Sequence, residues 1–588
     1  MIKTREQQIA EAEELLGDRL EAASFIKGMF FGRFLNHKLL SSAAPAQDLV
    51  ADQMSAELRR FAREQIDPVA IDREALIPAR VIEGLGRMGI LGACLPQSAG
   101  GRGLSQSSYC RLIEVLGGHC ASTALFVNAH HSIGPRALVL FGTPEQQQRW
   151  LPKLATGEWI SAFALTEREA GSDAANVQTT ANPTSDGRGY VLNGEKRWIT
   201  NGGIAQVLTV MARTPVAGTS ESKITAFLVT PDMPGFDVVE ARMEKCGVRG
   251  TATSRLAFRD MFVPREYLLG EVGKGLKIAL TVLDFGRTTF GASCTGAARF
   301  CVEHAARHAA TRVQFGQPLG SFELVKEKLA FMNAATFAMQ ATTYQTAALI
   351  DAGAGDYMLE TAALKVFATD ALWRIINDTI QIYGGKAYFT DEPFERMMRD
   401  ARINLIGEGA NDVLRAFVAL VGMRDVGLEL KGILDALSHP LRNLGRLTSF
   451  AGQRLESMFR SPEVVVHSGE LQRDAERLGK LVGNFAGNVE RLLRTYRESI
   501  VDRQYQLGRI ADAIIELYAS ACVLKRLDDL LFHPNGEAID AKPSLITGRY
   551  YLRTAERRIR GSLAELWDND DATTTETADL LSKSEPAV

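Results

Sequence analysis

The spacing of hydrophobic positions changes twice along this chain. From about residue 49 to residue 154 apolar residues recur every three or four positions, as in AELRRFAREQI and RVIEGLGRMGIL, which is typical of amphipathic helices. Around Ser161 the period shortens to two, and after the segment GEVGKG the helical period returns. The pattern therefore predicts an α+β protein in which a β domain separates two helical regions.

Local signals place some elements more closely. In LFGTPEQQQRWLPKL, Thr143 is an N-cap and Pro144 the first residue of a short helix. GYVLNGEKRWIT predicts two strands joined by a tight turn at Asn193-Gly194, because both positions tolerate positive φ. Further strands are predicted at QVLTVMART, ITAFLVT and SRLAFRDMFV.

The C-terminal third carries long apolar stripes at helical spacing. Phe485, Val489 and Leu492 share one face, and Leu507, Ile510 and Ile514 share another, which predicts the core of a helical bundle. Between the helical regions, residues 441–460 alternate apolar residues with arginines. This mixture fits either a solvated bundle face or a helix lying on a membrane surface. The polar residues from 568 onward predict a disordered tail.

Composition narrows the class of protein. A chain of 588 residues with 46% hydrophobic content can bury several cores, and its net charge of −3 gives no basic field for nucleic acid. Seven cysteines without CxxC spacing argue against a zinc site or a disulfide framework, so we expect a reducing compartment. The N-terminus has neither signal-peptide nor transit-peptide character, and no run of 18 apolar residues is present. GxGxxG, P-loop, HExxH and GxSxG motifs do not occur at informative positions.

Glu408 in LIGEGANDVLRAF stands between two glycines ahead of an apolar helical run. One interpretation is an ordinary helix start capped by Asn411 or Asp412. The other is an exposed acid that a ligand approaches closely, because glycine on both sides removes steric cover.

Two segments of the β region supply groups for a flat cofactor. AFALTEREAGSDAANVQT offers hydroxyls and exposed amides, and GEKRWITNGG sets Trp198 and Thr200 on one face of a strand with Ile199 opposite. An aromatic plane beside a hydroxyl suits a heteroaromatic ring. A buried Trp in an ordinary core is the alternative.

Several motifs in order support a family assignment. The segments LTEREAGSD, GEKRWITNGG, VPREYLLGEVGKG, RVQFGQPL, QIYGG, RMMRDARI and GEGANDVLR follow the order and spacing of the acyl-CoA dehydrogenases. Over residues 51–424 the sequence resembles this flavoprotein family, and SFIKGMF with the C-terminal bundle resembles its very-long-chain branch.

The resemblance implies a multidomain fold. It predicts an N-terminal helical domain, a central β-barrel-like domain and a C-terminal four-helix domain, followed by an extra helical bundle. The expected bounds are an extension at 1–48, domains at 49–160, 161–273 and 274–426, an extra helical domain at 427–567 and a tail at 568–588.

The resemblance also implies roles. The residues expected to bind FAD, some of them on the FAD of a neighbouring subunit, are Phe163, Leu165, Thr166, Ser172, Trp198, Ile199, Thr200, Arg312, Gln314, Phe315, Gln381, Gly384, Gly385, Ala410, Asn411 and Asp412. Those expected near acyl-CoA are Ser172, Asp284, Arg287 and Gly409. An ordinary surface ion pair is the alternative for Arg287.

Glu408 aligns with the catalytic base of the family, and its N–H with a donor to the thioester oxygen. Where some relatives carry their base, this chain has Gly286. The resemblance implies removal of an α proton and a β hydride from a fatty acyl-CoA, giving trans-2-enoyl-CoA. An electron-transferring flavoprotein would accept the electrons. The resemblance also implies that this chain forms a homodimer or homotetramer. We expect it in a bacterial cytoplasm.

Four positions depart from the family pattern. Gly407 replaces an aromatic residue and Ala410 a threonine, while Ala387 and Arg168 replace a glycine and a proline. The missing aromatic predicts a bulkier substrate, or a wetter site with a lower pKa for Glu408.

The acyl chain and the acceptor stay open at this point. Phe126 and Asn128 stand where very-long-chain relatives use small residues, which favours a medium-to-long or branched acyl chain. The alternatives to a dehydrogenase are a non-catalytic scaffold of the same fold and an oxidase that uses oxygen.

Overall fold

The computed structural model describes residues 24–40, 48–438, 461–532 and 541–582. The segment 441–460, predicted either as a bundle face or as a membrane-surface helix, lies outside these ranges. Within them the domain order α, β, α is confirmed. The described residues divide into two compact units, residues 48–411 and residues 24–40 together with those from 412 onward.

The α-helices are numbered α1 to α17 in chain order. Their bounds are Phe25–Phe30, Leu49–Gln65, Pro68–Glu74, Ala79–Arg87, Gln106–His119, Ala121–Asn128, Gly134–Phe141, Pro144–Thr156, Gly275–Thr311, Glu323–Asp351, Met358–Tyr383, Phe394–Arg402, Asn411–Ser438, Gln472–Tyr496, Gln504–Leu531, Lys542–Glu565 and Asp571–Ser582. A π-helical turn at Ala129–Ile133 joins α6 to α7.

The predicted helix at Pro144 is confirmed as α8. The Thr143 hydroxyl accepts from the Gln146 N–H, and the Gln146 side chain accepts from the Thr143 N–H, so that each satisfies a donor that the first turn leaves free. This helix ends in Gly157 at a φ of +76°.

The central domain is one eight-stranded mixed sheet in the order β6-β7-β3-β2-β4-β5-β8, with β1 parallel to β4. The strands are Ser161–Ala164, Thr180–Pro183, Gly189–Ile199, Val207–Pro215, Ser222–Val229, Phe236–Glu240, Ser254–Pro264 and Leu268–Leu269. A short hairpin, β9 and β10 at Val313–Gln314 and Gln317–Pro318, follows α9. The three further strands predicted from sequence are confirmed as β4, β5 and β7.

The hairpin predicted at Asn193-Gly194 is wrong. Residues 189–199 form the single long strand β3, and the pairing with β7 shifts register between Leu192 and Gly194. The dipeptide is a β-bulge, not a turn. Gly194 has a φ of +149°, and a Cβ there would stand 2.7 Å from the Thr179 Cα, which requires glycine. Positive φ tolerance marks both turns and bulges, so the dipeptide alone does not separate them.

The first unit has two hydrophobic cores. One joins the inner face of the sheet to α7, α8 and the start of α9, around Trp150, Phe227 and Phe258. The other joins the N-terminal helices to α9 and α10, around Leu58, Tyr109 and Phe126. Helix α9 spans both, because it packs on α5, α10 and α11 and on the sheet. This 37-residue helix is therefore the element that packs against both cores of the unit.

The second unit is a helical bundle that includes the N-terminal helix α1. Phe30 packs edge-on against Phe485 at 5.1 Å between ring centroids, and Phe25 lies 6.1 Å from Tyr518. The predicted stripes are confirmed as core, since Phe485, Val489, Leu492, Leu507, Ile510 and Ile514 are all buried. SFIKGMF thus belongs to the C-terminal bundle and not to a separate extension.

The disorder predicted from residue 568 does not hold over residues 571–582. These residues form α17, and Asp571 accepts two hydrogen bonds from the Arg509 guanidinium, at 2.7 and 2.8 Å. Composition alone missed this because one partly buried ion pair anchors an otherwise polar helix. In the described ranges no helix combines the length and apolar character needed to cross a lipid bilayer.

Candidate active site

Glu408 lies in the short loop between α12 and α13, in a left-handed backbone conformation. Its φ is +56° and that of Gly409 is +95°. A non-glycine residue in this region costs on the order of 1–2 kcal/mol and is held there by surrounding contacts. Helix α13 does begin at Asn411, so the helix start predicted from sequence exists, but Asn411 and Asp412 are its first two residues and the cap predicted at one of them is wrong.

The carboxyl group of Glu408 points into the interior. Oε1 accepts a hydrogen bond of 3.2 Å from the Asn128 side-chain amide. Oε2 is buried without a hydrogen-bond partner among the described residues. A Cβ on Gly286 of α9 would stand 2.5 Å from Oε2, so glycine at that position leaves the space that the carboxyl occupies. A buried oxygen without a donor costs free energy, which marks it as a candidate reactive atom.

Burial raises the pKa of Glu408 to about 7, against the charges of Arg287 and Lys365 and the hydrogen bond from Asn128. The lower pKa expected from the missing aromatic at Gly407 is therefore wrong. Beyond its two chain neighbours, a Cβ at Gly407 would meet only Ile403, at 3.5 Å, and the Glu408 carboxyl is buried against Asn128.

Lys365 of α11 anchors the loop that carries Glu408. Its fully buried ammonium donates to the Gly409 carbonyl at 2.7 Å and to Asn411 Oδ1 at 2.8 Å. Burial lowers the pKa of Lys365 to about 8, and the nearby Glu408 opposes that shift. Sequence reasoning missed this residue because its role depends on a contact 44 positions away.

Arg287 and Asp284 form a buried pair on α9, which rules out the surface ion pair considered for Arg287. The guanidinium donates to Asp284 Oδ1 at 3.1 Å, and the Thr361 hydroxyl donates to the same oxygen at 2.7 Å. The Arg287 Nε lies 3.5 Å from the Glu408 carbonyl oxygen. Burial raises the pKa of Asp284, and Arg287 opposes this. Arg287 thereby places its guanidinium beside the loop, with Asp284 as its counter-charge.

A second group of predicted residues lies where β1 meets β3. Phe163, Leu165 and Thr166 are partly exposed at the end of β1. The Arg197 N–H donates to the Thr166 carbonyl at 3.0 Å, and the Lys196 ammonium donates to the Leu165 carbonyl at 3.0 Å. These bonds fix the loop against β3.

Trp198, near the end of β3, presents its side chain outward. It is 50% exposed at a φ of +61°, while Ile199 is buried, with 2% exposure. Core packing, the alternative considered for this Trp, is therefore wrong. An open aromatic face beside the partly exposed Thr166 and Thr200 fits the ring system of FAD, which needs a stacking surface and donors at its edge. Ser172 and neighbouring Gly171 are exposed on the preceding loop, and a Cβ at Gly171 would meet nothing within 4 Å.

The remaining predicted cofactor residues lie on the exposed surface, apart from the buried cluster at Glu408. Phe315 is 95% exposed in the β9–β10 turn, next to exposed Arg312 and Gln314. Gln381, Gly384 and Gly385 are exposed where α11 ends. Ala410 and Asp412 flank Asn411 at the start of α13, where Asn411 is buried and Asp412 exposed.

Asn128 is the functional neighbour that the sequence placed in another role. Its side chain is 3% exposed and contacts Glu408, 280 positions away. The sequence signal is the polar run Asn128 to Ser132 inside an apolar helix, which the structure resolves as a π-helical turn. Such turns are frequent at functional sites. Phe126, by contrast, is core, and its carbonyl accepts from the Asn201 side chain at 3.1 Å.

Four family models match the sequence. They are described as the N-terminal, middle and C-terminal domains of acyl-CoA dehydrogenase, over residues 51–158, 162–261 and 273–422, and as the ACAD9/ACADV C-terminal domain, over residues 469–584.

Two curated relatives match over most of their length. The mitochondrial very long-chain specific acyl-CoA dehydrogenase of Homo sapiens is 37% identical over 532 residues, covering 88% of this chain and 81% of the relative. The probable acyl-CoA dehydrogenase FadE10 of Mycobacterium tuberculosis is 32% identical over 593 residues, covering 97% and 90%.

Solved structures agree. An acyl-CoA dehydrogenase complexed with FAD from Bacillus anthracis has a TM-score of 0.77 at 28% identity and covers 95% of both chains. Butyryl-CoA dehydrogenase from Megasphaera elsdenii has a TM-score of 0.60 at 34% identity, covering 63% of this chain and 97% of its own.

Proposed function

Because this chain belongs to the acyl-CoA dehydrogenase family and is an FAD-dependent oxidoreductase, we propose that it oxidises a fatty acyl-CoA thioester to the trans-2-enoyl-CoA with Glu408 as the base. The single observation that carries the proposal is the carboxyl of Glu408, buried with an unpaired Oε2 and a pKa raised to about 7. A base poised near neutral pH combines an ionised form with useful proton affinity.

The loop offers a donor beside the base. Among the described residues none accepts a hydrogen bond from the Glu408 N–H, which leaves it available to the thioester oxygen. Arg287 on one side and Lys365 on the other add positive charge as the substrate becomes enolate-like. Donors and charges aimed at a developing oxyanion are usually the largest electrostatic contribution to such a reaction.

Thr166, Trp198 and Thr200 would hold FAD, which would supply the acceptor for the hydride of the β carbon. Trp198 supports this assignment, because its side chain is 50% exposed, with the Arg197 guanidinium 5.3 Å from the centre of its ring. Ser172 and the buried pair of Asp284 and Arg287 would hold the thioester part of the substrate and orient its α carbon towards Glu408 Oε2.

The open volume at Gly407 favours a medium-to-long or branched acyl chain. A side chain at this position would meet only an ordinary contact with Ile403, so the loop leaves room there that an aromatic residue would fill. We propose an electron-transferring flavoprotein as the acceptor.

We further propose a homodimer or homotetramer. Phe315, Tyr388 and Phe389 are 95%, 78% and 66% exposed, which is unusual for large apolar side chains of a monomer. Light scattering of the purified protein tests the assembly, and a monomer at working concentration would contradict it.

Anaerobic titration of the FAD-loaded protein with straight and branched acyl-CoAs of increasing length tests the reaction. The preferred acyl-CoA should bleach the flavin absorption, and the Glu408→Gln variant should bind it without bleaching. If no acyl-CoA bleaches the flavin, the proposal is wrong.

Aerobic turnover then separates the acceptors. A dehydrogenase reduces an electron-transferring flavoprotein and forms little hydrogen peroxide, whereas peroxide in step with substrate loss would identify an oxidase. The scaffold alternative predicts that neither reaction occurs.

A further inference from the structure

A continuous chain of buried polar side chains leads from Glu408 into the N-terminal domain. Asn128 donates to Glu408, and the Thr289 hydroxyl of α9 donates to Asn128 Oδ1. Ser132 Oγ lies 3.2 Å from Thr289 Oγ1 and 3.4 Å from the Tyr109 hydroxyl. Asn128, Thr289, Ser132 and Tyr109 are each exposed by 3% or less. Nothing in the reaction described above uses these four residues.

The π-helical turn at Ala129–Ile133 builds this chain. Its His130 and His131 are held by main-chain groups: His130 by the Leu154 carbonyl and the Ser161 N–H, and His131 by the Leu91 carbonyl. The turn therefore has a fixed rotation, with Asn128 at its start and Ser132 near its end.

The chemistry of the chain fixes how the Asn128 amide is turned. An ionised carboxylate only accepts hydrogen bonds, so the NH₂ group must face Glu408 Oε1. The amide oxygen then faces the Thr289 hydroxyl, which donates to it. Thr289 Oγ1 is also 2.9 Å from the Gly286 carbonyl on its own helix, which is a competing acceptor for its single proton.

The charged groups that surround Glu408 in the described structure are few. Arg287 and its partner Asp284 approach from α9, and Lys365 approaches from α11, where Asp370 receives a hydrogen bond from Asn411. Asn128 is the single direct donor to the carboxyl in the described part of the chain. Its loss would leave Glu408 desolvated with no hydrogen bond.

We propose that Asn128 is a positioning residue for the catalytic base: its amide, oriented by Thr289, Ser132 and Tyr109, holds the Glu408 carboxyl in place and favours its ionised form. The inference rests on the proposed function of Glu408 and goes beyond it, because it assigns a role to helix α6 and the π-helical turn. A hydrogen bond to a charged group changes an ionisation equilibrium by about one to two pH units.

The first test is Asn128→Leu in the FAD-loaded protein, measured as the pH dependence of flavin reduction in a single turnover. The apparent pKa of the rate should rise by about one to two units, because the carboxylate loses its only donor. The rate should recover at high pH, where Glu408 ionises again, while acyl-CoA affinity changes little. A merely structural defect would lower the rate equally at every pH.

Thr289→Val gives a milder form of the same test and keeps the volume of the side chain. It removes the hydroxyl that orients the Asn128 amide, so we expect a shift in the same direction and smaller. Thr295→Val is the matched control: Thr295 is equally buried on the same helix, and its hydroxyl donates to the Gly291 carbonyl. The control should leave the pH profile unchanged.

An infrared titration reads Glu408 without turnover. The C=O stretch of the protonated carboxyl, identified by its absence from Glu408→Gln, should titrate at higher pH in both Asn128→Leu and Thr289→Val. An unchanged titration in both, or an equal shift in Thr295→Val, overturns the proposal. If Glu408→Gln reduces the flavin as fast as wild type, the proposed function fails instead, while the infrared titration still tests the contact between Asn128 and Glu408.

Discussion

Two glutamates of the first unit bury their carboxyl groups in opposite ways. Glu167, in the β domain, accepts from Lys196 at 2.6 Å, from the Gln178 N–H at 2.6 Å, and from the N–H and hydroxyl of Thr179 at 3.0 and 2.6 Å. Although burial would raise its pKa, Lys196 and the other donors hold the pKa of Glu167 below its usual value. Among the residues that the structure describes, Glu408 has one donor, and burial raises its pKa to about 7.

The difference separates a structural acid from a reactive one. A carboxylate that accepts from four donors stabilises the loop around it, and those donors oppose its protonation. A carboxylate left short of donors is costly to the fold, yet its free oxygen can accept a proton from a substrate. Both residues are buried acids, so burial alone does not predict which one is catalytic. For these two residues the number of hydrogen-bond donors makes the distinction.

The largest expected effect comes from neutralising each acid in turn. Glu408→Gln should slow flavin reduction by about 10²–10⁴-fold, the usual contribution of a general base. Glu167→Gln should leave the rate per bound FAD close to wild type, because Glu167 contacts neither substrate nor base in the proposed arrangement. Stopped-flow absorbance measures both. Equal losses in the two variants would remove the distinction.

For the free energy of unfolding, the larger loss should come from Glu167→Gln and not from Glu408→Gln. Glu167→Gln leaves the Lys196 ammonium, with 0% side-chain exposure, without its counter-charge, and breaking such a pair costs about 3–5 kcal/mol of unfolding free energy. The double variant Glu167→Gln, Lys196→Met should recover much of that loss. Glu408→Gln should not destabilise the protein at pH 8. Denaturant unfolding followed by circular dichroism is the measurement, and a neutral Glu167→Gln would contradict the assignment.

The two acids should also act oppositely on stability as pH changes. Because the folded pKa of Glu408 is raised from 4.5 to about 7, the folded state binds its proton more tightly, and stability falls as pH rises across that window. The total is about 3 kcal/mol. Glu167, with its lowered pKa, contributes stability that is lost only as pH falls below 4.5.

Subtracting the stability of Glu408→Gln from that of wild type at each pH isolates this contribution from other titrating groups. A difference that stays flat between pH 4.5 and 7 would contradict the raised pKa.

The smallest predicted effect uses two glycines beside Glu408. Gly286→Ala adds a Cβ 2.5 Å from Oε2 and must displace the carboxyl, whereas at Gly407 the new Cβ meets only the Ile403 carbonyl at 3.5 Å. We expect flavin reduction to fall about tenfold to a hundredfold in Gly286→Ala and to stay within about twofold in Gly407→Ala. The ratio of the two rates is the measurement. A ratio near one would contradict the placement of the Glu408 carboxyl against Gly286.

Local sequence signals predicted elements whose cause is local. Thr143 and Pro144 specify the start of α8 through contacts within one turn, and the alternation in QVLTVMART matches β4. The same reasoning failed at Asn193-Gly194. This dipeptide is typical of a hairpin turn, but because β3 pairs with β7 on both sides of it, it forms a β-bulge. Cross-strand contacts 60 or more positions away decide that outcome, as the hydrogen bonds between Asn193 and Asp260 illustrate.

The candidate site likewise has features that local sequence predicted and features that depend on distant contacts. The glycines around Glu408 predicted an accessible acid, and the motif order predicted its family. Neither indicated that Lys365 anchors the loop or that Asn128 reaches the carboxyl, because each contact joins the loop to a helix that is distant in sequence. The raised pKa of Glu408 likewise follows from where its side chain turns, which the residues adjacent to it in sequence do not determine.

The missing side chain at Gly286 has an evolutionary consequence. In the proposed alignment some relatives carry their acid at this position, and here the Glu408 carboxyl fills the space that such an acid would need. One substitution cannot move the acid, because a lineage that gained a glutamate at 286 while keeping Glu408 would crowd two negative charges into one cavity. A move between the two placements therefore requires changes at both positions.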